Sequence, residues 1–302
     1  RDLLRLHELE PELVVHDLHP DYFTTALAAE YSDRWQVPVS GVQHHHAHLA
    51  ACVLENEIEG EVLGLCWDGT GFGTDRTVWG GEFLYGDASG FERVASLRSF
   101  GLPGGDACSR EGWRVALSLL HEAFGADAPT LEGICGEQHR VVRQMLERGV
   151  NAPISTSMGR LFDGVAALLG ISFENQHQAQ SPQLLESAAW RHGTDAEAFE
   201  LPLVDGRFDW APMIRSLVES EEPSERLAAR FHHTLIEAAI RTIAGQSRPA
   251  VLAGGVFCNR YLTEGILVRA EEAGMPVYIH SQLPPTDGSL SAGQLWVGAY
   301  RT

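Results

Sequence analysis

VPVSGVQHHHAHLAACVLENEIEGEVLGLCWDGTGFG, residues 37–73, sets a strand, a helix and a second strand in succession and ends in glycines. VPVSGVQ at 37–43 reads as a strand running into a helix at 44–57, and EVLGLCWDG at 61–69 as a strand ending at Asp68. The glycine-rich turn Gly69-Thr70-Gly71-Phe72-Gly73 follows. Four histidines, His44, His45, His46 and His48, stand at the mouth of the helix. Imidazole is a neutral, moderately soft donor and a common protein ligand for zinc and iron. Residues four apart share a helix face, so His44 and His48 can close on one ion. A lone histidine here would read as a cap or a core hydrogen-bonder; four of them, with a pair at i,i+4, favour a metal. The run is internal and continues into a patterned helix, unlike a tag.

Outward from this stretch, residues 1–13 have helical periodicity and VVHDL at 14–18 reads as a short buried strand. His16-Asp17-Leu18-His19-Pro20-Asp21-Tyr22 is a strand-end loop, and 23–35 returns to helix. Downstream, GGEFLYGD and FERVASLRSF suggest a β-meander, and 110–125, 137–148 and 158–170 suggest helices. A polar connector at 174–183 leads to a helix at 184–192, a hairpin-like stretch at 198–210 and a long helix at 224–245. PAVLAGGVF, a helix at 259–273, PVYIH and the loop PPTDGSLSAGQ precede a last helix. Strands alternating with helices, plus a meander, predict an α/β fold with mixed sheets.

The 302 residues suffice for one large domain or two lobes with ample core. A net charge of -19 repels phosphate backbones and disfavours a broad nucleic-acid footprint. The five cysteines are widely spaced without a Cys-x-x-Cys pair, so neither a zinc ribbon nor a disulfide framework is expected. They read as buried small hydrophobes of a reducing, cytoplasmic compartment. No signal peptide is visible, and no apolar run approaches the ~18 residues of a membrane span. The chain opens at Arg1 inside a helical pattern, as expected of a segment of a longer protein.

Three glycine-containing loops follow strand-like runs: Asp68-Gly69-Thr70-Gly71, Gly254-Gly255-Val256-Phe257-Cys258-Asn259 and Asp287-Gly288-Ser289. Such turns expose backbone N–H groups when they open a helix. None is a Walker A loop. In an open α/β sheet the carboxyl ends of strands converge on one crevice, which would bring Asp68 and Asp287 together. Two carboxylates and two imidazoles suit a divalent ion such as iron, zinc or manganese. Asp106, Arg110 and Glu111 are explained by helix-cap chemistry as well as by substrate contact. Asp163 is expected on a solvated helix face, Ser155, Thr156 and Ser157 as caps, and Cys258 in the core.

VVHDLHPDYFTT, VQHHHAHLAACVLE, WDGTGFGTDRTVWGGEF, LPGGDACSREGWRVA, STSMGRLFDGVAALLG, LAGGVFCNRYL and LPPTDGSLSAGQ together resemble the HypF family of hydrogenase-maturation carbamoyltransferases, in order over nearly the whole chain. The resemblance implies that family's C-terminal carbamoyl-transfer domain, an α/β two-lobed actin/Hsp70/sugar-kinase (ASKHA) fold. It implies a first lobe at 1–105, lacking an opening hairpin, and a second at 106–302, with the last helix returning to the first. Metal ligands map to His44, His48, Asp68 and Asp287, with iron or zinc foremost. Contacts to carbamoyl-adenylate or ATP map to Gly69, Thr70, Gly71, Asp163 (ribose), Gly254, Gly255 and Asn259. The chain departs from the pattern at His177-Gln178-Ala179-Gln180, where the family usually reads Tyr-Glu-Gly-Gln.

The implied partners are an upstream YrdC-like domain that makes carbamoyl-adenylate and a HypE-like acceptor whose C-terminal cysteine takes the carbamoyl group. That step would serve assembly of the cyanide ligands of NiFe hydrogenase. His45 or His46 would act as general base on the thiol, or as a structural neighbour of the metal. Competing expectations are small-molecule O-carbamoyl transfer and a non-catalytic nucleotide-binding lobe. A tRNA threonylcarbamoyl transferase fits the charge poorly.

Overall fold

The computed structural model describes residues 2–301. A short helix α1 (Asp2–Leu6) leads to β1 (Val14–Asp17), α2 (Phe23–Trp35), β2 (Val39–Val42) and the histidine helix α3 (His44–Glu55). β3 (Val62–Phe72), β4 (Val78–Gly86) and β5 (Phe91–Leu97) form the expected meander. After β6 (Phe100–Gly101) come α4 (Gly112–Phe124), α5 (Gly136–Arg148), β7 (Ile154–Ser155), α6 (Met158–Leu168) and α7 (Gln180–His192). The hairpin β8 (Leu203–Val204) and β9 (Arg207–Phe208) precedes α8 (Ala211–Glu219) and α9 (Ser224–Ala244). β10 (Ala250–Ala253), α10 (Arg260–Glu272), β11 (Val277–Tyr278) and α11 (Leu290–Arg301) complete the chain.

Two sheets organise these elements. β1 and β2 pair in parallel, with Asp17 opposite Val42. That register sets the Asp17 carboxylate beside the first turn of α3. The larger, nine-stranded sheet runs β11-β10-β3-β4-β5-β9-β8, with β6 and β7 off its path. Its centre is β3, whose residues Val62–Asp68 are all buried, as expected of a strand covered on both faces. β10 pairs with β3 in parallel from Leu63↔Ala250 to Cys66↔Ala253, so Asp68 and Gly254–Gly255 emerge side by side. The main core packs Trp67, Phe83, Phe162, Phe231 and Trp210 against this sheet.

Several sequence expectations are corrected. The opening helix stops at Leu6, ahead of Glu8 in the left-handed region (φ 55) and Pro11. The glycines after Asp68 open no helix. β3 continues through Phe72, and between the pairs Trp67↔Gly81 and Gly71↔Trp79 a bulge lifts Asp68, Gly69 and Thr70 off the ladder. A bulge of this kind re-aims side chains, here the Asp68 carboxylate. α7 begins inside the polar connector, α8 was not anticipated, and α11 begins within the loop PPTDGSLSAGQ. The large sheet takes strands from both sides of residue 105, since β10 and β11 join β3. Among the described residues, no helix is long and apolar enough to cross a membrane.

α11 packs along α3, and the fit requires Gly293: a Cβ there would overlap the carbonyl oxygen of Ala47, which lies within the helix backbone and cannot turn aside. Gly293→Ala is therefore expected to lower unfolding stability by about 1–3 kcal/mol, the usual range for overpacking, as read by chemical denaturation. A stability unchanged from the parent would mean that the two helices are not held at this distance.

Candidate metal centre

α3 is capped by Gln43, whose side-chain oxygen accepts from His46 N at 2.8 Å. His44 and His48 then project from successive turns toward Asp68 and Asp287. Asp287 stands in a short 3₁₀ turn just before α11. His44 Nε2 lies 3.3 Å from Asp68 Oδ2 and 3.6 Å from Asp287 Oδ1, and His48 Nε2 lies 3.6 Å and 3.5 Å from the same two atoms. Metal–ligand bonds of about 2.1 Å in a tetrahedron separate neighbouring donors by about 3.4 Å. The four imidazole–carboxylate distances are thus close to those of a coordination shell, all four donors lie within 4.8 Å of one another, and two carboxylates balance a divalent charge. The His48 ring is fully buried and neither of its nitrogens has a hydrogen-bond partner, as a ligand nitrogen awaiting a cation would be.

Asp17 completes the support. Its Oδ2 lies 2.8 Å from His44 Nδ1 and its Oδ1 accepts from His19 N, so a carboxylate fixes the His44 ring with Nε2 turned to the cage. Burial disfavours charge on His44, but Asp17, Asp287 and Asp68 outweigh it and hold the imidazole well above its ordinary pKa. Burial likewise opposes ionisation of Asp68, yet the two imidazoles keep it well below the carboxylate range. Asp68 Oδ1 accepts from Gly255 N at 3.1 Å, and Gly254 N donates to Pro285 O at 3.0 Å. These two bonds draw together the end of β3, the loop after β10 and the segment carrying Asp287. Asp287 is the rim: its side chain is 71% exposed, against 12% for Asp68.

The other sequence-predicted residues divide. His46 turns away from the cage: its Nε2 donates to Asp87 O at 2.6 Å and its ring packs on Phe91. His45 is sealed at 0% exposure, and burial with the neighbouring His44 charge pushes its pKa well below the ordinary value. Both rings thus lie apart from the four donors of the cage. Gly71 is buried, and a Cβ there would strike the His44 and His45 rings, so its glycine lets β3 pass close over the histidines. Gly69 is half-buried and Thr70 exposed, and Arg160 Nη2 lies 3.9 Å from a Cβ built on Gly69.

Asp163 is not solvated as its helix position suggested. At 0% exposure it lies between Arg160 Nε at 2.8 Å and Asn175 Nδ2 at 2.9 Å, and burial raises its pKa. Asn259 caps α10 through Leu262 N, and Glu186 accepts from Arg260 N and Tyr261 N. The N-terminus of α10 is thus already satisfied and offers no free amide cluster there. Cys258, expected in the core, is exposed. Ala179 adopts φ 58 at the start of α7, a left-handed conformation that suits the glycine of the family pattern better than alanine. Asp17, Arg160 and Glu55 escaped the sequence reading. Asp17 had a signal, a strand-end carboxylate like Asp68; Arg160 and Glu55 lie on helices where charge is ordinary.

A mixed sheet flanked by helices, with the site at converging strand ends, defines a Kae1-like domain of the ASKHA type. Residues 64–294 match the family described as "Carbamoyltransferase, Kae1-like Domain, second subdomain" and residues 1–55 the "HypF Kae1-like domain". The chain belongs to the HypF carbamoyltransferase family. It is 37% identical over 99% of its length to carbamoyltransferase HypF2 of Cupriavidus necator, of which it spans 41%. A carbamoyltransferase HypF homolog of the same organism is 36% identical over 95% of the chain and is covered to 78%. A crystal structure of full-length HypF in the phosphate- and nucleotide-bound form superposes with a TM-score of 0.89 at 32% identity, covering 99% of this chain and 40% of that one.

Two measurements follow from this geometry. Asp17→Asn is expected to weaken zinc or iron binding about 10–100-fold, and His48→Ala to abolish it, by metal competition with the fold monitored by circular dichroism. Retention of parent affinity in both would exclude this cage. Glu55, at the end of α3, is the pH-sensitive point. Burial would raise its pKa, but donors from Gln282, His280 and Ser281 bring it from 4.5 down to about 2. A depressed carboxylate stabilises the fold above its unfolded pKa and loses that contribution as pH falls toward the folded value. The stability gap between parent and Glu55→Gln is therefore expected in full at pH 6 and to close between about pH 4.5 and 2. A gap that stays constant over that window would contradict the assignment.

Proposed function

We propose that this chain carries out carbamoyl transfer, moving the carbamoyl group of carbamoyl-adenylate to the C-terminal cysteine thiol of a HypE-like acceptor during NiFe hydrogenase maturation. The observation that carries the reading is the inter-segment cage of His44, His48, Asp68 and Asp287, closed below and open at Asp287, beside the glycine strand and Arg160. The names of the relatives, and a structural neighbour that holds phosphate and nucleotide, support the same chemistry. The donor set suits iron or zinc, which when bound would supply Lewis-acid stabilisation of oxygen charge.

This chain's own residues would bind and orient. Gly69 and Thr70 would run along the phosphate of the donor, with the Arg160 guanidinium held toward it by Asp163. Gly71 would keep β3 close over the histidines, and Gly254, Gly255 and Asn259 would shape the opposite wall. The acceptor thiol gives its proton to solvent water and its sulfur attacks the carbamoyl carbon; a C–S bond forms, the bond to the adenylate oxygen breaks, and AMP leaves. An internal nucleophile is not required: the exposed Cys258 is kept as a thiol by partial burial and by the Asp68 charge.

The test is single-turnover transfer from supplied carbamoyl-adenylate, with mass measurement of the acceptor. We expect one carbamoyl group on the acceptor's terminal cysteine, lost when that cysteine is replaced by serine. Arg160→Ala should slow the step about 10²–10³-fold, the range for removing one charge-stabilising contact. Modification of a small hydroxyl compound instead of the protein, or no turnover by a metal-loaded chain, would overturn the reading.

A further inference from the structure

Below the cage, α3 makes a second contact with the segment that carries Asp287. The Glu55 carboxylate is 4% exposed and gathers donors from the chain leaving β11. His280 Nδ1 meets Oε2 at 2.7 Å, while Ser281 N at 2.7 Å, Ser281 Oγ at 2.9 Å and Gln282 N converge on Oε1. An ionised carboxylate only accepts, so the His280 proton sits on Nδ1 and the lone pair on Nε2. The His280 side chain is 1% exposed, and its Nε2 is buried without a partner.

His48 presents the complementary vacancy in hydrogen bonding. Its Nε2 belongs to the cage, so as a neutral ligand it carries its proton on Nδ1, and that nitrogen is also buried and unpartnered. One ring thus offers an unsatisfied donor and the other an unsatisfied acceptor, and Glu55, which binds His280, follows His48 by two turns along the same face of α3. Metal-bound imidazoles almost always donate their second N–H, and His44 already does so to Asp17.

Resting on the metal centre proposed above, we infer that His280 is the outer partner of His48, reached from His48 Nδ1–H through one bridging water, with Glu55 holding His280 in the accepting tautomer. Glu55 and His280 are then positioning residues. One link orients His48, and the same carboxylate anchors residues 280–282 ahead of Asp287. The cage would be braced from both sides, by Asp17 behind His44 and by Glu55–His280 behind His48.

The experiment is zinc competition and cobalt absorption on the 302-residue chain, comparing the parent with His280→Leu, His280→Gln and Glu55→Gln. His280→Leu is expected to weaken metal affinity about 10–100-fold and to shift the cobalt ligand-field bands at unchanged secondary structure. His280→Gln, whose amide oxygen can accept, should recover most of that loss. A folded His280→Leu chain within twofold of parent affinity, or equal losses in the leucine and glutamine variants, overturns the link. Should the leucine variant not fold, Glu55→Gln decides: weakened binding supports the link and parent affinity overturns it. A parent chain whose metal binding is indifferent to His48→Ala would instead overturn the metal centre itself, which is a distinguishable result.

Discussion

A carboxylate buried within a central strand must find donors or lose its charge, and Asp68 is such a group. One oxygen is met by the Gly255 amide and the other faces two imidazoles. Those partners come from α3 and from the loop after β10, segments far apart in the chain. The sheet register explains why they meet. Parallel pairing of β10 with β3 runs to Ala253 and Cys66, which sets Gly255 beside Asp68, and the bulge after Trp67 frees Asp68 from the ladder to turn toward α3. The smaller sheet repeats the device, since pairing of β1 with β2 ends Asp17 beside His44. Two sheets thus deliver two carboxylates to one helix.

The resulting cage is graded in rigidity. Asp17, His44, His48 and Asp68 are buried and anchored in regular elements, whereas Asp287 rides on a 3₁₀ turn and is largely exposed. Its position depends on contacts made elsewhere: Pro285 O to Gly254 N, and the Glu55 carboxylate to residues 280–282. The histidine cluster therefore divides by the helix face each ring occupies. His44 and His48 share the face turned to the cage, His45 lies under β3, and His46 serves the turn at Asp87.

What the sequence revealed follows from the range of each signal. Helix periodicity located α2, α3, α6 and α9, because an apolar stripe is written within the segment itself. The i,i+4 histidine pair was legible for the same local reason. The bulge was not, since Asp68-Gly69-Thr70-Gly71 reads as a turn unless β4 is known to resume pairing beyond it. Asp163 looked solvated because its burial is imposed by Asn175 and by the packing of α4 near Gly112. The α10 N-terminus looked like an anion site because its occupant, Glu186, comes from a helix more than seventy residues earlier. Glu55 was silent on similar grounds: its donors lie beyond residue 279, so nothing near it marks the carboxylate as special.

The proposed transfer places one further demand on this arrangement, namely where the attacking sulfur originates. Cys66 is buried with its thiol pKa pushed well up, and burial raises Cys52 and Cys108 to about 12. Cys258 is exposed but its thiol is also raised, with the Asp68 charge contributing, and Cys135 stands at the start of α5. Thiolate is the reactive form, so the thiols around this site are poor nucleophiles at neutral pH. A cage crowded with carboxylates in a chain of net charge -19 works against making a thiolate nearby, and it would repel one arriving uncompensated. On that proposal the nucleophile would come from the acceptor, its approach steered by local features rather than by the overall field. The exposed Asp287 rim is the open side, and the Arg160 guanidinium, held by Asp163, is the cation beside the glycine strand that can offset negative charge on the donor. An acceptor that docks by its own surface and inserts a single thiol satisfies that constraint, where a freely diffusing anionic thiol does not.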